Sequence, residues 1–336
     1  MLPAGSTRRT RMRRKVARCA RSLMEVAFAA QEANSLGMSG LQLRGAYTAL
    51  VTPFTKDGSA IDWDAFDALV TGQLDGGIAG LVPCGTTGET PTLTDAEQRE
   101  VIQRTVKLAK GKVPILAGTG SNNTKKSIDA SKAALEAGAD AVMIVMPYYN
   151  KPSQAGMVHH VETLARELPC PIVLYNVPGR TGVELSVPSM LAILDRCPNV
   201  VGMKDATGNV LWCQSVLSKA GDRLSVLCGD DALSVPCISV GAKGLISVSS
   251  NAIPELVVSA VEHALAGRSE EARAEHHRLL DFHSLMFEEP NPAPVKLAME
   301  LLGLGSSMTR SPMLPAGSAV RDQLVGVLSD LGLSVR

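Results

Sequence analysis

A lysine stands at the end of an apolar run of the sequence. Residues 200–203 read Val-Val-Gly-Met and lead directly into Lys204. Lysine is almost never buried without a partner, so it is unusual at the end of a buried strand. Its ammonium could reach solvent at the strand end, or its desolvated amine could attack a carbonyl as the free base. We favour the second interpretation, a nucleophilic lysine.

A glycine-rich loop with two adjacent hydroxyls follows another apolar run. It reads Cys84-Gly85-Thr86-Thr87-Gly88-Glu89. Glycines let a backbone approach a ligand and expose its N–H groups, while threonine hydroxyls add donors and acceptors. The loop therefore suits a small carboxylate or phosphate, although Gly-Thr pairs also occur in ordinary turns.

Three of the four tyrosines lie at the ends of two further apolar runs, close to an arginine. Tyr148 and Tyr149 follow one run, and Tyr175 lies in the next. A phenol within hydrogen-bond reach of a substrate can relay protons, and a tyrosine can equally be a packing residue. Arg180 could bind a carboxylate through its forked guanidinium or form a surface ion pair.

The same positions carry no motif for a metal or a cofactor. Asp230 and Asp231 are adjacent, but no third ligand with suitable spacing accompanies them. Two pairs of adjacent histidines fall on predicted outer helices, and no Walker loop, dinucleotide fingerprint or zinc motif occurs. A lysine with tyrosines, a hydroxyl loop and an arginine instead fits carbonyl chemistry through a Schiff base, in which the protonated imine is the electron sink.

These residues need a scaffold that brings the ends of several strands together. From residue 46 the sequence alternates short apolar runs, rich in β-branched residues, with amphipathic runs of helix length. The apolar runs lack an alternation with polar residues, as is expected of strands buried on both faces. Eight such runs occur, near 46–53, 80–84, 113–118, 141–146, 171–177, 200–204, 224–228 and 244–249.

Eight strands that are each followed by a helix predict an α/β fold of the (β/α)8 or TIM barrel type. An open doubly wound sheet is the alternative, but it usually has about five or six strands. In the barrel the active site lies at the C-terminal ends of the strands, where Lys204 and the loops above occur. We predict the barrel over residues 41–267 and a C-terminal helical appendage over residues 268–336.

The first 40 residues differ from the others in charge. Residues 1–24 carry eight basic residues and no acid, whereas the whole chain balances 33 basic against 33 acidic residues. We expect residues 1–40 to be a basic extension without a fold of its own, with Met38 as a natural start. An Arg-rich organelle transit peptide and a nucleic-acid-binding arm are the alternatives.

The composition favours a reducing compartment, which we take to be the cytoplasm. The seven cysteines are scattered and form no Cys-x-x-Cys pair, which fits free thiols better than a disulfide framework. No apolar run reaches the roughly 18–20 residues of a membrane helix, and zero net charge gives no global attraction to nucleic acid or membrane. We therefore expect small-molecule substrates, with neither nucleic acid nor membrane as a partner.

Five motifs occur in the order and spacing of a known family. The chain resembles the 4-hydroxy-tetrahydrodipicolinate (dihydrodipicolinate) synthases of the N-acetylneuraminate lyase superfamily, from about residue 44 to about residue 333. Members of this superfamily are pyruvate-dependent barrels that work through a Schiff base. The motifs are Gly85-Thr86-Thr87-Gly88-Glu89, Pro147-Tyr148-Tyr149-Asn150, Tyr175-Asn176-Val177-Pro178 with Arg180-Thr181-Gly182, Lys204-Asp205-Ala206-Thr207-Gly208, and Gly229-Asp230-Asp231.

The resemblance implies a catalytic role for four of the matched residues. Lys204 would form the Schiff base with pyruvate, without a metal or a further cofactor. Tyr175 would move protons during imine formation and condensation, and Thr86 would join it to Tyr149 in a proton relay. In the family the tyrosine that matches Tyr149 reaches into the neighbouring subunit's site, so the active unit is a tight dimer, usually paired into a homotetramer.

Other matched residues would bind the substrates. The resemblance implies that Thr87 holds the pyruvate carboxylate, that the Ile246 backbone contacts it, and that Gly229 belongs to the substrate-binding residues. Arg180 would bind the carboxylate of aspartate semialdehyde, and the product would be 4-hydroxy-tetrahydrodipicolinate, on the diaminopimelate route to lysine. Another 2-oxo-acid aldolase or lyase of the superfamily is the alternative activity, and a catalytically dead barrel that binds 2-oxo acids is a further one.

One position departs from the family pattern. Members that lysine inhibits bind it with residues matching Asn122 and Tyr148, an acid at the position of Lys126, and often a histidine near Asp95 or Gln98. Here the Lys126 ammonium would meet the ammonium of the inhibitor, and like charges disfavour binding. We therefore expect weak or absent feedback inhibition by lysine.

Overall fold

Eight short parallel strands form the centre of the fold, in a computed structural model that describes residue 41 and residues 43–336. The predicted basic extension, residues 1–40, lies outside the described residues. The strands are β1 (Gly45–Ala49), β2 (Gly80–Val82), β3 (Leu116–Gly118), β4 (Ala141–Val145), β5 (Ile172–Asn176), β6 (Val200–Asp205), β7 (Ser225–Cys228) and β8 (Gly244–Ser247).

The strands form one sheet that closes on itself. They pair in the order β2-β1-β8-β7-β6-β5-β4-β3, and every neighbouring pair in this order is parallel. The two end strands also meet, because Leu81 and Ile115 form a parallel bridge and the Gly118 amide donates to the Pro83 carbonyl over 2.9 Å. The predicted (β/α)8 barrel is therefore confirmed.

The strands are buried on both faces, as their continuous apolar sequences predicted. Every residue of β1 and of β5 is buried. Between β1 and β2 the ring of Tyr47 lies so close to Gly80 that a Cβ atom there would fall 2.0 Å from a ring carbon. Glycine at this position thus lets a large aromatic side chain fill the space beside the barrel wall.

Helices follow the strands and surround the barrel. Side-chain caps define where several of them begin; the hydroxyl of Thr94 accepts from the Glu97 amide, and the Glu97 carboxylate accepts from the Thr94 amide, which is a capping box. The helices are α1 (Trp63–Asp75), α2 (Asp95–Ala109), α3 (Thr124–Glu136), α4 (Gln154–Glu167), α5 (Pro178–Thr181), α6 (Val187–Leu194), α7 (Val210–Ala220), α8 (Ser234–Ser239) and α9 (Pro254–Leu265).

Three more helices follow: α10 (Ser269–Leu285), α11 (Ala293–Leu301) and α12 (Ser318–Asp330). α10 packs on α9, and α12 packs on both α10 and α11. Residues 291–299 are buried without interruption, so the beginning of α11 lies in the interior of the molecule. Within the described residues, no helix combines the length and apolarity that crossing a membrane requires.

Candidate active site

Lys204 and Tyr175 lie side by side near the C-terminal ends of two neighbouring strands. β5 and β6 are parallel, with Tyr175 opposite Lys204 in the register. The Nζ atom of Lys204 lies 4.5 Å from the centroid of the Tyr175 ring, and the two residues are 4% and 5% exposed. The structure thus brings together the predicted nucleophile and the predicted proton carrier.

Lys204 is a buried lysine without a carboxylate partner. Among the described residues, no Asp or Glu oxygen lies within 4.0 Å of its Nζ atom. Its neighbour Asp205 instead accepts from the Thr207 amide over 3.0 Å, and burial raises the pKa of Asp205 to about 6. The Lys204 amine is therefore not engaged in an ion pair with any described carboxylate, and an amine is the nucleophile that forms an imine with a carbonyl.

Gly229 follows β7 and leaves room for the Lys204 side chain. A Cβ atom on Gly229 would lie 3.0 Å from Lys204 Cε, 3.1 Å from Lys204 Cγ and 2.9 Å from Ala206 Cβ. The Gly229 amide donates to the Asp205 carbonyl over 2.7 Å, which holds the ends of β6 and β7 together. A larger residue here would therefore displace the stem of the lysine.

The two threonines of the glycine-rich loop lie on a short 3-10 helix, Thr86–Gly88, which we call the threonine turn. Thr87 is buried and Thr86 is half-buried. Glu89 ends the turn with a left-handed backbone (φ +53°), and its amide donates to the Thr86 carbonyl over 3.1 Å. The hydroxyl of Thr52, in the segment that follows β1, donates to the Gly88 carbonyl over 2.8 Å. These bonds fix the backbone from which both hydroxyls project.

Arg180 lies in α5, a single helical turn that follows β5. The chain leaving β5 is held by Asn176, whose side chain accepts from the Leu185 amide over 3.0 Å and donates to the Leu185 carbonyl over 3.3 Å. Arg180 is exposed, and its Nη2 atom donates to the Asn291 carbonyl over 3.4 Å. Its guanidinium has five N–H donors, so several stay free to bind a carboxylate.

Tyr149 is separate from the other two predicted relay residues within one chain. It is 89% exposed and has a left-handed backbone (φ +71°). The described residues include no hydrogen bond from Tyr149 to Tyr175 or to Thr86. The adjacent Asn150 donates to the Asn122 carbonyl over 2.9 Å and anchors this loop. A single chain therefore does not assemble the predicted relay.

Ile246 lies in β8 opposite Tyr47, and its side chain is fully buried. Nearby, both carboxylate oxygens of Asp231 are used to join the ends of β7 and β8, since they accept from the Ser247 hydroxyl and from the Val248 amide, the latter over 2.9 Å. Within the described residues, no group of three or more His, Cys, Asp and Glu side chains is placed to hold a metal.

One residue of the site was missed by the sequence interpretation. Asn291, just before α11, donates from Nδ2 to the Thr87 hydroxyl over 3.0 Å, and its carbonyl accepts from Arg180. It therefore contacts both residues that were predicted to bind substrate carboxylates. Because Asn291 lies 204 residues from Thr87 along the chain, no local pattern indicates the contact.

An ion cluster that is buried at Lys296 and Glu89 and partly exposed at Arg310 and Glu97 lies behind the threonine turn and was also missed. Lys296 of α11, which is 1% exposed, pairs with Glu89 and donates to the Met308 carbonyl over 2.9 Å. The Arg310 amide donates to Glu89 over 2.9 Å, and the Arg310 guanidinium donates to Glu97 over 2.7 and 3.0 Å. Burial lowers the pKa of Lys296 to about 8, against the opposing effect of Glu89, and hydrogen bonds from Arg310 lower the pKa of Glu97 to about 2.

The sequence and fold match those of known proteins over most of the chain. The model of the Dihydrodipicolinate synthetase family matches residues 42–331. A 4-hydroxy-tetrahydrodipicolinate synthase of Sorangium cellulosum is 54% identical over 294 residues, which cover 88% of this chain and 98% of the relative.

Solved structures agree with the sequence match. Dihydrodipicolinate synthase from Aquifex aeolicus has a TM-score of 0.85 at 38% identity and covers 88% of this chain and 100% of its own. The chloride-inhibited dihydrodipicolinate synthase from Acinetobacter baumannii, complexed with pyruvate, has a TM-score of 0.85 at 37% identity and covers 87% and 100%. The chain therefore belongs to the dihydrodipicolinate synthetase family, as its five motifs predicted.

Proposed function

We propose that this chain condenses pyruvate with L-aspartate 4-semialdehyde to give 4-hydroxy-tetrahydrodipicolinate, the first committed step toward diaminopimelate and lysine. The observation that carries the proposal is the buried amine of Lys204, which has no carboxylate partner in the described chain and lies beside Tyr175. Membership of the family and the 54% identity to a protein named as this synthase support the choice of substrates.

The chemistry proceeds on Lys204 itself. Its amine attacks the carbonyl carbon C2 of pyruvate, and loss of water gives a protonated imine. Loss of a proton from C3 then gives an enamine, because the imine nitrogen accepts the electron pair. C3 of the enamine forms the new C–C bond with the aldehyde carbon of the semialdehyde, whose oxygen takes up a proton. The amino group of the semialdehyde then attacks C2 of the re-formed imine, and breaking of the C2–Nζ bond closes the six-membered ring and releases the Lys204 amine. The imine is the electron sink, so the proposed reaction uses no metal and no further cofactor.

Four residues bind the two substrates in this proposal. Thr87 donates to the pyruvate carboxylate, and the backbone of Ile246 contacts the same group. Gly229 borders the pyruvate while it leaves room for the lysine stem. Arg180, exposed at the edge of the site, binds the carboxylate of aspartate semialdehyde through its forked guanidinium.

Proton transfer uses Tyr175, Thr86 and a tyrosine from a second copy of the chain. Tyr149 is almost fully exposed, so its hydroxyl is free to enter the site of a neighbouring subunit. We assign the active unit to a dimer in which each copy's Tyr149 completes its partner's relay, with two dimers forming a homotetramer. We also assign the enzyme to the cytoplasm, with residues 1–40 as an extension before the barrel of residues 41–267 and the helices of residues 268–336.

The proposal is tested by activity and by trapping. The purified protein receives pyruvate and aspartate semialdehyde, and NADPH consumption by an added dihydrodipicolinate reductase reports the product. We expect turnover that is lost in Lys204→Ala and falls sharply in Arg180→Ala. Borohydride reduction in the presence of pyruvate should add mass to the peptide that contains Lys204. An adduct on another lysine, or on none, would contradict the assignment of Lys204 as the nucleophile. Trapping of pyruvate on Lys204 without turnover would support imine formation but rule out aspartate semialdehyde as the second substrate.

A further inference from the structure

We propose that Asn291 is a positioning residue that orients the Thr87 hydroxyl toward the carboxylate of pyruvate. It also ties this pyruvate-binding side of the site to Arg180. The inference rests on the proposed function, since it assigns the carboxylate of pyruvate to Thr87. It adds a residue from outside the eight strand ends to the substrate-binding apparatus.

The geometry of Asn291 is that of a bridge. It precedes α11, is 6% exposed, and begins a run of buried residues, 291–299. Its Nδ2 atom is 3.0 Å from Thr87 Oγ1 on the β2 side of the site, and its carbonyl oxygen is 3.4 Å from Arg180 Nη2 on the β5 side. The two substrate-binding residues are thus held by the two polar ends of one residue.

The direction of the hydrogen bond decides what Thr87 can do. A threonine hydroxyl has one proton to donate and two lone pairs to accept with. Since Asn291 Nδ2 donates to Oγ1, it occupies a lone pair and leaves the proton of Thr87 unused; no other side-chain bond of Thr87 occurs in the described chain. A hydroxyl that is held in this way can donate a hydrogen bond to an anion, and the carboxylate of pyruvate is such an anion.

Stability alone does not account for an asparagine at this position. The Oδ1 atom of Asn291 is buried and has no hydrogen-bond partner among the described residues. A buried acceptor without a partner destabilises a fold, and an apolar residue of similar size would avoid that loss. The contact to Thr87 supplies a functional reason for keeping the amide.

The sharpest test reverses the polarity of the contact. Asn291→Asp keeps the size of the side chain but places a carboxylate oxygen beside Thr87. That oxygen accepts a hydrogen bond from the Thr87 hydroxyl, which then no longer donates to pyruvate, and it adds a negative charge near the carboxylate of pyruvate. We expect KM for pyruvate to rise roughly ten- to a hundredfold, because the lost bond is to a charged group. Asn291→Leu should raise KM for pyruvate less and leave the thermal midpoint unchanged or higher. In both variants kcat should change less than KM.

Asn199 provides a matched control. It is a buried asparagine that immediately precedes β6, at the opposite end of the barrel, and its Nδ2 donates to the Ala165 and Leu168 carbonyls over 3.0 and 2.9 Å. Asn199→Leu should lower the thermal midpoint without a change in KM for pyruvate. If Asn291→Asp likewise changed only stability, the positioning role would be wrong.

A double-mutant cycle shows whether Asn291 acts through Thr87. Thr87→Val removes the hydroxyl that Asn291 orients, so adding Asn291→Asp to it should raise KM for pyruvate much less than in the parent protein. Fully additive effects would overturn the inference. The pyruvate concentration that gives half-maximal borohydride trapping on Lys204 can be compared among the same variants, and this measurement does not need the second substrate. Trapping in the parent protein therefore separates failure of the inference from failure of the proposed reaction.

Discussion

Lys296 pairs with Glu89 in the interior of the protein, directly behind the threonine turn. The same ammonium lies 4.1 Å from the centroid of the Phe54 ring, and Arg310 covers that ring at 4.4 Å. Lys204 is buried to a similar extent but has no carboxylate partner in the described chain. The chain thus contains two buried lysines with different surroundings, one paired with a carboxylate and one without a carboxylate partner among the described residues.

Breaking the Lys296–Glu89 pair should destabilise the fold strongly. Lys296→Met leaves the Glu89 carboxylate buried and without its main partner, and we expect a loss of about 3–5 kcal/mol in the free energy of unfolding. The double variant Lys296→Met/Glu89→Gln should recover much of this loss, because no uncompensated charge is left. Urea unfolding measures both. The exposed pair of Lys125 with Asp129 is the control, for which Lys125→Met should cost less than about 1 kcal/mol.

Adding one methyl group at Gly229 should impair imine formation. The Cβ atom of Gly229→Ala would meet Lys204 Cε at 3.0 Å and Ala206 Cβ at 2.9 Å, so the amine moves. Misplacement of a reacting group by about 1 Å can lower a rate by about a hundredfold, and we expect a loss of this size in the rate of borohydride trapping. Gly72→Ala on α1, where a Cβ atom meets nothing within 4 Å, should trap at the parent rate. Equal rates in both variants would contradict the steric argument.

The ion pair of Arg310 with Glu97 should make stability depend on pH in the acid range. The pKa of Glu97 is lowered from 4.5 to about 2, chiefly by hydrogen bonds from Arg310. A carboxyl group whose pKa falls on folding stabilises the fold above its unfolded pKa, and this contribution is lost as the pH falls toward the folded pKa. The free energy of unfolding should therefore decrease from about pH 5 to pH 2.

Arg310→Met tests this dependence. The variant should show a shallower decrease in the same pH range, measured by urea unfolding at a series of pH values. Lys132→Met removes an ion pair to Glu167 whose side chains are both about half-exposed, and it should keep the slope of the parent protein. A parent-like slope in Arg310→Met would show that the acid sensitivity has another source.

Lysine should inhibit this protein weakly or not at all. Lys126 is exposed in the first turn of α3, and the nearby Asn122 is joined to the loop of Tyr148 through Asn150. An ammonium at position 126 repels the ammonium of lysine. Lys126→Glu should therefore increase inhibition, measured as the lysine concentration that halves turnover. Half-inhibition of the unmodified protein well below millimolar lysine would refute this expectation.

Subunits with different defects should complement each other if Tyr149 serves a neighbouring site. Tyr149→Phe removes the hydroxyl donated to the partner, whereas Lys204→Ala removes the nucleophile. A mixed dimer then contains one site with an intact Lys204 and an intact Tyr149 from the other copy. We expect mixing after partial dissociation to restore turnover that neither variant shows alone. Absence of recovery in dimers shown to be mixed by mass would mean that Tyr149 does not serve the neighbouring site.

The barrel and the core of the candidate site were predictable because their signals are local. Each strand is a short apolar run, and the barrel rule assigns the residue after such a run to the active-site end, which is how Lys204 and Tyr175 were recognised. Asn291, Lys296 and Arg310 were not recognised, since they contact Thr87 or Glu89 across more than 200 residues of sequence. The one local signal was a lysine inside the apolar stretch that became α11.

A chain still being made on the ribosome cannot hold the threonine turn in its final form. All eight strands are complete at Ser247, but the three residues that hold the turn from behind, Asn291, Lys296 and Arg310, are synthesised later. Segments of a chain fold in the order in which they emerge, so the barrel can form before its substrate-binding loop is fixed. Competence for catalysis therefore begins only with the last part of the chain, and a protease that removed that part would abolish it without cutting a single strand.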